Sequence, residues 1–342
     1  MKNFKASFRS YLNKLKFISG NNPKVMIYPK EAIKHYIPPQ HKAVLIISCD
    51  LELIWAWRFA KQLNCDLEKA KEISGREREN VPLIIGLCEK FNIPITWAIV
   101  GHLLLKGCYK ESGIAHKDLT RPGHFENKYW KFSSGDWFDN DPCCNWEEAK
   151  EWYAPDLIEK IKASRTNHEI ACHSFSHIDC REEFCADRIL RQEVKKCKSA
   201  ASLYGIELKS FVFPGNFIGN LAVLKDEGFN SYRSEKDILG FPEKDEYGLW
   251  RVPTTDSIEL SPYNWSFDYY VKRYKIIIER AIKYQRLCHF WFHPSLPRDF
   301  LEPFFISLFE LINNSRKELY VTTMRDYCMF LESNATERQS NV

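Results

Sequence analysis

From residue 32 onward the chain alternates two kinds of segment. Short β-branched apolar runs are separated by longer stretches whose apolar positions return every three or four residues. The short runs read as strands and the longer ones as amphipathic helices. Strands are expected at 43–49, 94–99, 168–172, 208–213, 229–233, 287–293 and 318–323, with helices between most of them at 77–91, 153–163, 183–203, 217–227, 267–284 and 299–313. Strand then helix, repeated in this way, calls for an α/β fold of parallel strands joined by right-handed crossovers. An open doubly wound sheet and a barrel both satisfy the pattern. The segment 107–150 interrupts it. It is rich in Gly, Asp, Trp and Pro, and such long loops on α/β scaffolds tend to shape the substrate site.

The ends read differently. Residues 1–30 hold seven Lys or Arg and no Asp or Glu, with Phe4, Phe8, Tyr11, Leu12 and Leu15 at helical spacing. That pattern suits a basic amphipathic helix lying on an anionic membrane surface. Gly20-Asn21-Asn22-Pro23 then breaks the chain. The expected organisation is this N-terminal segment, one catalytic domain over 31–332 carrying the long loop, and a polar tail at 333–342.

Composition narrows the class. With 342 residues, 44% apolar and 27% charged, the chain has room to bury a core without staples. A net charge of +4 lacks the basic excess expected of a nucleic-acid binder. No apolar run reaches the ~18 residues of a membrane span; the run Ile93–Leu105 is interrupted by His102. The N-terminus lacks the apolar core of a secretory signal. The expectation is therefore a cytoplasmic chain, peripheral on the inner membrane face, whose 12 cysteines are reduced thiols. No Cys-x-x-Cys pair is present, so a zinc ribbon is excluded on spacing.

Parallel α/β folds gather their chemistry at the carboxyl ends of strands. Here those ends carry Asp50 and Glu52, His173 and His177, Pro214-Gly215-Asn216, and His293-Pro294. The pair His173-Ser-Phe-Ser-His177 has the spacing that grips one metal from one face of a helix or tight turn. Asp50 and Glu52 share a face by strand parity, and two acids side by side call for a cation or a proton between them. Glu52, His173 and His177 then make a two-His-one-carboxylate set, leaving Asp50 free to act as a base. The same acids could instead cap a helix beginning near Leu53. His293 ends an apolar strand and could protonate a leaving group. His289, four residues earlier, reads as a core histidine.

Together these residues resemble the polysaccharide deacetylases, the NodB-homology or carbohydrate esterase family 4 group, over roughly residues 40 to 330. The first motif is Ser48-Cys49-Asp50-Leu51-Glu52, similar to the Asp-x-Glu subset. The second is His173–His177, introduced by His168-Glu169-Ile170-Ala171. The last is His289-Phe-Trp-Phe-His293-Pro294. Thr96-Trp97-Ala98 and the run Trp152–Leu157 resemble the biosynthetic-cluster branch. The resemblance implies a distorted (β/α)7 barrel and metal-assisted hydrolysis of an N-acetyl amide on an amino sugar. It makes Asp50 the base, His293 the acid, and Glu52, His173 and His177 the ligands of a divalent metal, most often zinc. The third motif departs from the pattern, because Phe211–Asn216 contains no Arg to pair with the base. Arg251 is expected to supply that charge. Of the aromatic residues, Trp55 and Trp57 with Arg58, Asp136 and Trp137, and Trp250 are expected to meet substrate, together with Pro214 and Asn216.

The leading expectation is a metal-dependent hydrolase acting on an N-acylated sugar or a lipid-linked glycan precursor. A glycan-binding protein of the same fold without turnover is the alternative. A Cys-His hydrolase built on Cys49 or Cys172 is disfavoured, since strand alternation turns each thiol away from its reactive neighbour.

Overall fold

The computed structural model describes residues 23–262 and 265–339. Most of the basic N-terminal segment lies outside these residues. Its last part is described, and Lys24–Val25 pairs with Ile238–Leu239 as a short parallel ribbon.

The central sheet has ten strands, numbered here in chain order. β1 is Ala43–Leu51, β2 Thr96–Ile99, β3 Glu169–Cys172, β4 Ser210–Phe211, β5 Ser231–Ser234 and β6 Glu243–Lys244. β7 is Trp250–Pro253, β8 Asp256–Ile258, β9 Leu287–Phe292 and β10 Leu319–Thr322. The sheet order is β6-β7-β5-β4-β3-β2-β1-β9-β8. β10 pairs with the first half of β1, while β2 pairs with its second half. Every pairing is parallel except β6 with β7. All nine residues of β1 are buried, as befits a strand covered on both faces.

The sheet is strongly curled into a half-barrel. One contact shows how strongly. Asp50 on β1 and Arg233 on β5 lie four strands apart in the order, about 19 Å across a flat sheet at 4.8 Å per strand. Their side chains meet at 2.6 Å. The carboxyl ends of the strands therefore converge on one interior.

The outer helices are α1 (Leu67–Phe91), α2 (Pro155–Ala163), α3 (Asp187–Ser202), α4 (Leu221–Asp226), α5 (Phe267–Tyr284), α6 (Arg298–Asn314) and α7 (Met324–Gln339). α6 packs between α1 and α5. All seven expected strands are present. β6, β7 and β8 were not anticipated, being short runs inside a polar connection. α1 begins at Leu67 rather than residue 77, where Asp66 caps it by accepting the N–H groups of Glu68 and Lys69. Its inward face carries Ser74, Glu77 and Asn80, all buried. That polar stripe hides the helical period from a hydrophobicity reading. Within the expected polar tail, α7 continues as far as Gln339. Among the described residues, no helix is long and apolar enough to cross a membrane.

Candidate active site

The site is built where β1 emerges. Asp50 is the penultimate residue of β1, and Glu52 follows its last residue, Leu51; both acids are buried. Leu53 then takes φ 47° and ψ −140°, a backbone that non-glycine residues adopt only under constraint. Glu77 of α1 supplies part of the constraint. Its carboxylate accepts the Leu53 N–H and the Trp57 Nε1–H, each at 2.9 Å. Burial, reinforced by the charge of Glu52, pushes the Glu77 carboxyl up to about 7. No side-chain cap begins the short helix Ile54–Trp57, so capping is not the task of Asp50 or Glu52.

His173 follows β3, and the two imidazoles are presented by a turn rather than a helix. Ser174 and His177 have φ of 55° and 62°. Glu193 of α3 fixes that turn from behind. It accepts the N–H groups of Phe175 and Ser176, each at 2.8 Å, and the Ser176 hydroxyl at 2.7 Å. Burial pushes Glu193 up to about 7 against the pull of those three bonds.

Three ligand atoms then converge. Glu52 Oε1 lies 2.8 Å from His173 Nε2 and 3.1 Å from His177 Nε2. The Val212 carbonyl sits 2.7 Å from His173 Nδ1, and a carbonyl only accepts, so Nδ1 carries that ring's proton. With Nδ1 so engaged, Nε2 is the ring atom that faces the Glu52 carboxylate oxygen. Two electron-rich atoms in a buried site suit a shared cation. Burial keeps the His177 ring below its ordinary value despite Glu52. Burial alone would raise Glu52, but His293, His177 and the bond to His173 hold it well below the usual carboxylate range. An ionised carboxylate and neutral imidazole are the states that ligate metal. The donor set fits a divalent ion such as zinc.

Asp50 lies beside this set, and Arg233 grips it. Nη1 and Nη2 of Arg233 each donate to one Asp50 oxygen at 2.6 Å. Nη2 also donates to Asn216 Oδ1 and Nη1 to Ser48 Oγ. The guanidinium stands over the Trp291 ring at 4.6 Å. The expectation for Arg251 is corrected here: it pairs with Glu243 at 3.0 Å on a partly exposed edge, and Arg233 holds the charge beside Asp50. Arg233 ends a predicted strand. The rule that singled out Asp50 and His293, a reactive side chain at a strand's carboxyl end, applies equally to it.

His293 follows β9, and its Nε2 is 3.5 Å from Glu52 Oε2. Burial alone would lower its pKa, but Glu52, Asp50 and Glu77 reverse the sign and hold it up to about 9. Asn80 of α1 positions this loop by donating to the carbonyls of Pro294 and Leu296. His289 is fully buried with Nε2 2.9 Å from Ser48 Oγ; burial and the charge of Arg233 push it down to about 3.

Asp50, Glu52 and His293 open onto a cleft of about 850 Å³. Trp57 and Asn216, both expected to meet substrate, line it, while Pro214 is buried and outside its lining. The other expected substrate residues lie elsewhere. Trp55, Arg58 and Trp137 are buried together, with the Arg58 guanidinium 4.1 Å from the Trp55 ring and 4.6 Å from Trp137. Burial lowers that guanidinium to about 9. Asp136 pairs with Arg121 outside the cleft lining. Trp250 is buried in a separate apolar cluster and donates to Glu332. Tyr129 and Trp130, from the long loop, and Trp291 form the aromatic lining instead.

No family model and no curated protein matches this sequence. Solved structures do. A putative polysaccharide deacetylase from Mycobacterium smegmatis superposes with a TM-score of 0.61 at 12% identity, covering 87% of this chain and 93% of that one. The Puue allantoinase gives 0.59 at 13% identity, over 90% and 98%. A probable polysaccharide deacetylase from Pseudomonas aeruginosa gives 0.58 at 11% identity, over 89% and 97%. At these identities the likeness is one of architecture, and it establishes that this chain has the curled, mostly parallel α/β sheet of the polysaccharide deacetylase distorted barrel.

Proposed function

We propose that this chain is a metal-dependent amidohydrolase that removes an N-acetyl or other N-acyl group from an amino sugar. The observation that carries the reading is the convergence of Glu52, His173 and His177 beside an Asp50–Arg233 pair and His293, with Asp50, Glu52 and His293 opening onto one aromatic-lined cleft.

Glu52, His173 and His177 would hold the ion. The chemistry it would supply is Lewis acidity toward the amide carbonyl and the attacking water. The remaining work falls to side chains. Asp50 accepts the proton of the water, oriented for this by the bidentate grip of Arg233. His293, which stands beside Asp50 and Glu77 as well as Glu52, donates to the departing amine. Glu77 and Glu193 take no part in proton transfer, since both are occupied in fixing the two ligand-bearing turns. Trp57, Tyr129 and Trp130 offer apolar ring faces against which a sugar ring can pack. The proposal extends to a lipid-linked precursor handled in the cytoplasm at the membrane face, a reading motivated by the basic, amphipathic spacing of Lys2–Lys16.

The test is release of acetate or formate from N-acyl amino sugars by the zinc-loaded protein, beside Asp50→Asn and His293→Ala. The expected result is turnover that falls by on the order of 10²-fold or more in each variant. Zinc-loaded protein that binds such glycans with no acyl release would sink the hydrolase and leave the glycan-binding alternative.

A further inference from the structure

We propose that His102, Cys108, His116 and Asp141 form a second, structural zinc site, separate from the cleft. Its ligands come from the turn after β2 and from the long loop, over residues 102–141. The inference does not depend on the proposed activity.

Four donor atoms converge, those of His102, His116 and Asp141 from buried residues and that of Cys108 from a half-buried one. Asp141 Oδ2 lies 2.9 Å from His102 Nε2, 3.2 Å from His116 Nε2 and 3.4 Å from Cys108 Sγ. The two Nε2 atoms are 3.0 Å apart. Tetrahedral zinc with bonds of about 2.0–2.3 Å sets its ligand atoms roughly 3.3–3.7 Å apart. The observed spacings approach those edges within a few tenths of an ångström.

Protons alone serve this cluster poorly. The Trp152 carbonyl lies 3.1 Å from His102 Nδ1, so Nδ1 carries the ring's proton and the Nε2 lone pair of the neutral ring points at the Asp141 carboxylate. The other Asp141 oxygen is already served, accepting the Tyr153 hydroxyl at 3.1 Å and the Cys143 N–H at 3.0 Å. His102 and the Asp141 side chain are wholly shielded from solvent. One dication at the centre satisfies all four atoms at once. With one thiolate and one carboxylate the site is neutral, which suits burial. Two imidazoles and a thiolate favour zinc over magnesium or calcium. The carbonyl on His102 and the hydroxyl on Asp141 are the outer-shell partners such ligands carry.

The site would fasten the long loop to the barrel. It also braces the metal-binding turn, since Phe175 packs its ring on His102 and His116, at 5.4 and 5.3 Å, and the His102 N–H donates to the Phe175 carbonyl. The cleft residues Tyr129 and Trp130 belong to that same loop.

The test uses the full chain loaded with zinc, and then with cobalt in its place. Metal per chain is measured for the wild type, for His173→Ala/His177→Ala, and for Cys108→Ser and His116→Ala. The expected wild type holds two equivalents; each alteration removes one. Only the loop site has sulfur among its donors, so the cobalt protein shows a sulfur-to-cobalt charge-transfer band. That band survives His173→Ala/His177→Ala and disappears in Cys108→Ser. A wild type with one equivalent whose band depends on Cys108 supports the loop site and counts against the cleft metal. A folded wild type with no such band, whose metal content is unmoved by His116→Ala, overturns the proposal. Should Cys108→Ser fail to fold, the wild-type band and Cys108→Asp, which keeps an anionic ligand, decide it.

Discussion

Replacing Arg233 by Met is the sharpest perturbation of the proposed site. Arg233 and Asp50 are 1% and 2% exposed, and two hydrogen bonds of 2.6 Å join them. The methionine side chain would fill much of the same space and keep an apolar contact with Trp291. Asp50 would remain buried with its counter-charge gone. Removing one partner of a buried ion pair costs about 3–5 kcal/mol, because the surviving charge is left without compensation. That is a large share of a typical folding free energy of roughly 5–15 kcal/mol. Arg251→Met is the internal control. Its pair with Glu243 has side chains 36% and 43% exposed, and such a surface pair is worth about 0–1 kcal/mol. The assay is urea denaturation followed by circular dichroism, comparing midpoints at constant slope. Arg233→Met should lower stability by several kcal/mol and Arg251→Met by less than about 1. Adding Asp50→Leu to Arg233→Met should restore most of the loss, since the stranded charge is then gone. Arg233→Lys keeps the charge without the bidentate fork and should still cost activity. If Arg233→Met is no less stable than Arg251→Met, the reasoning about Asp50 is wrong.

Three other outcomes are expected. Glu193→Ala strands two buried N–H groups of the His173–His177 turn; it should lower stability by about 2–4 kcal/mol and weaken zinc binding at the cleft roughly 10–100-fold, read by chelator competition. His289 is neutral in the fold down to about pH 3, whereas an unfolded histidine takes up a proton below about 6.5, so stability should fall as pH drops through that window. The contribution is about 2 kcal/mol between pH 6.5 and 5 and should be missing from the pH profile of His289→Gln, with an unchanged profile counting against it. Tyr129→Ala removes an exposed ring from the cleft wall; if glycans pack there, KM should rise several-fold with kcat nearly constant, for a loss of about 1 kcal/mol, whereas an unchanged KM would place the sugar elsewhere.

The sequence by itself determined the seven principal strands and the residues at their carboxyl ends. Apolar runs of this kind are local and leave a local trace. Asp50, Glu52, His173, His177 and His293 were all legible from that trace, and the structure gathers them around Glu52, with Asp50, Glu52 and His293 opening onto the cleft. What it could not show is which distant side chain completes each of them. Arg233 reaches Asp50 only because the sheet curls, and curl depends on the twist of every strand between β1 and β5. Arg251, expected in that role, points instead to a sheet edge and Glu243. Trp55, Arg58, Trp137 and Trp250 looked available to substrate because an aromatic or an arginine reads the same in a cleft as in a core. Their burial is a property of what packs over them. The polar stripe of Ser74, Glu77 and Asn80 is the converse case: such residues on a helix ordinarily face water, and tertiary packing turns these inward, where Glu77 and Asn80 pin two site loops. His102, Cys108, His116 and Asp141 are scattered along the sequence with no motif spacing. Only the folding of the long loop back onto the barrel sets their four donor atoms within reach of one ion.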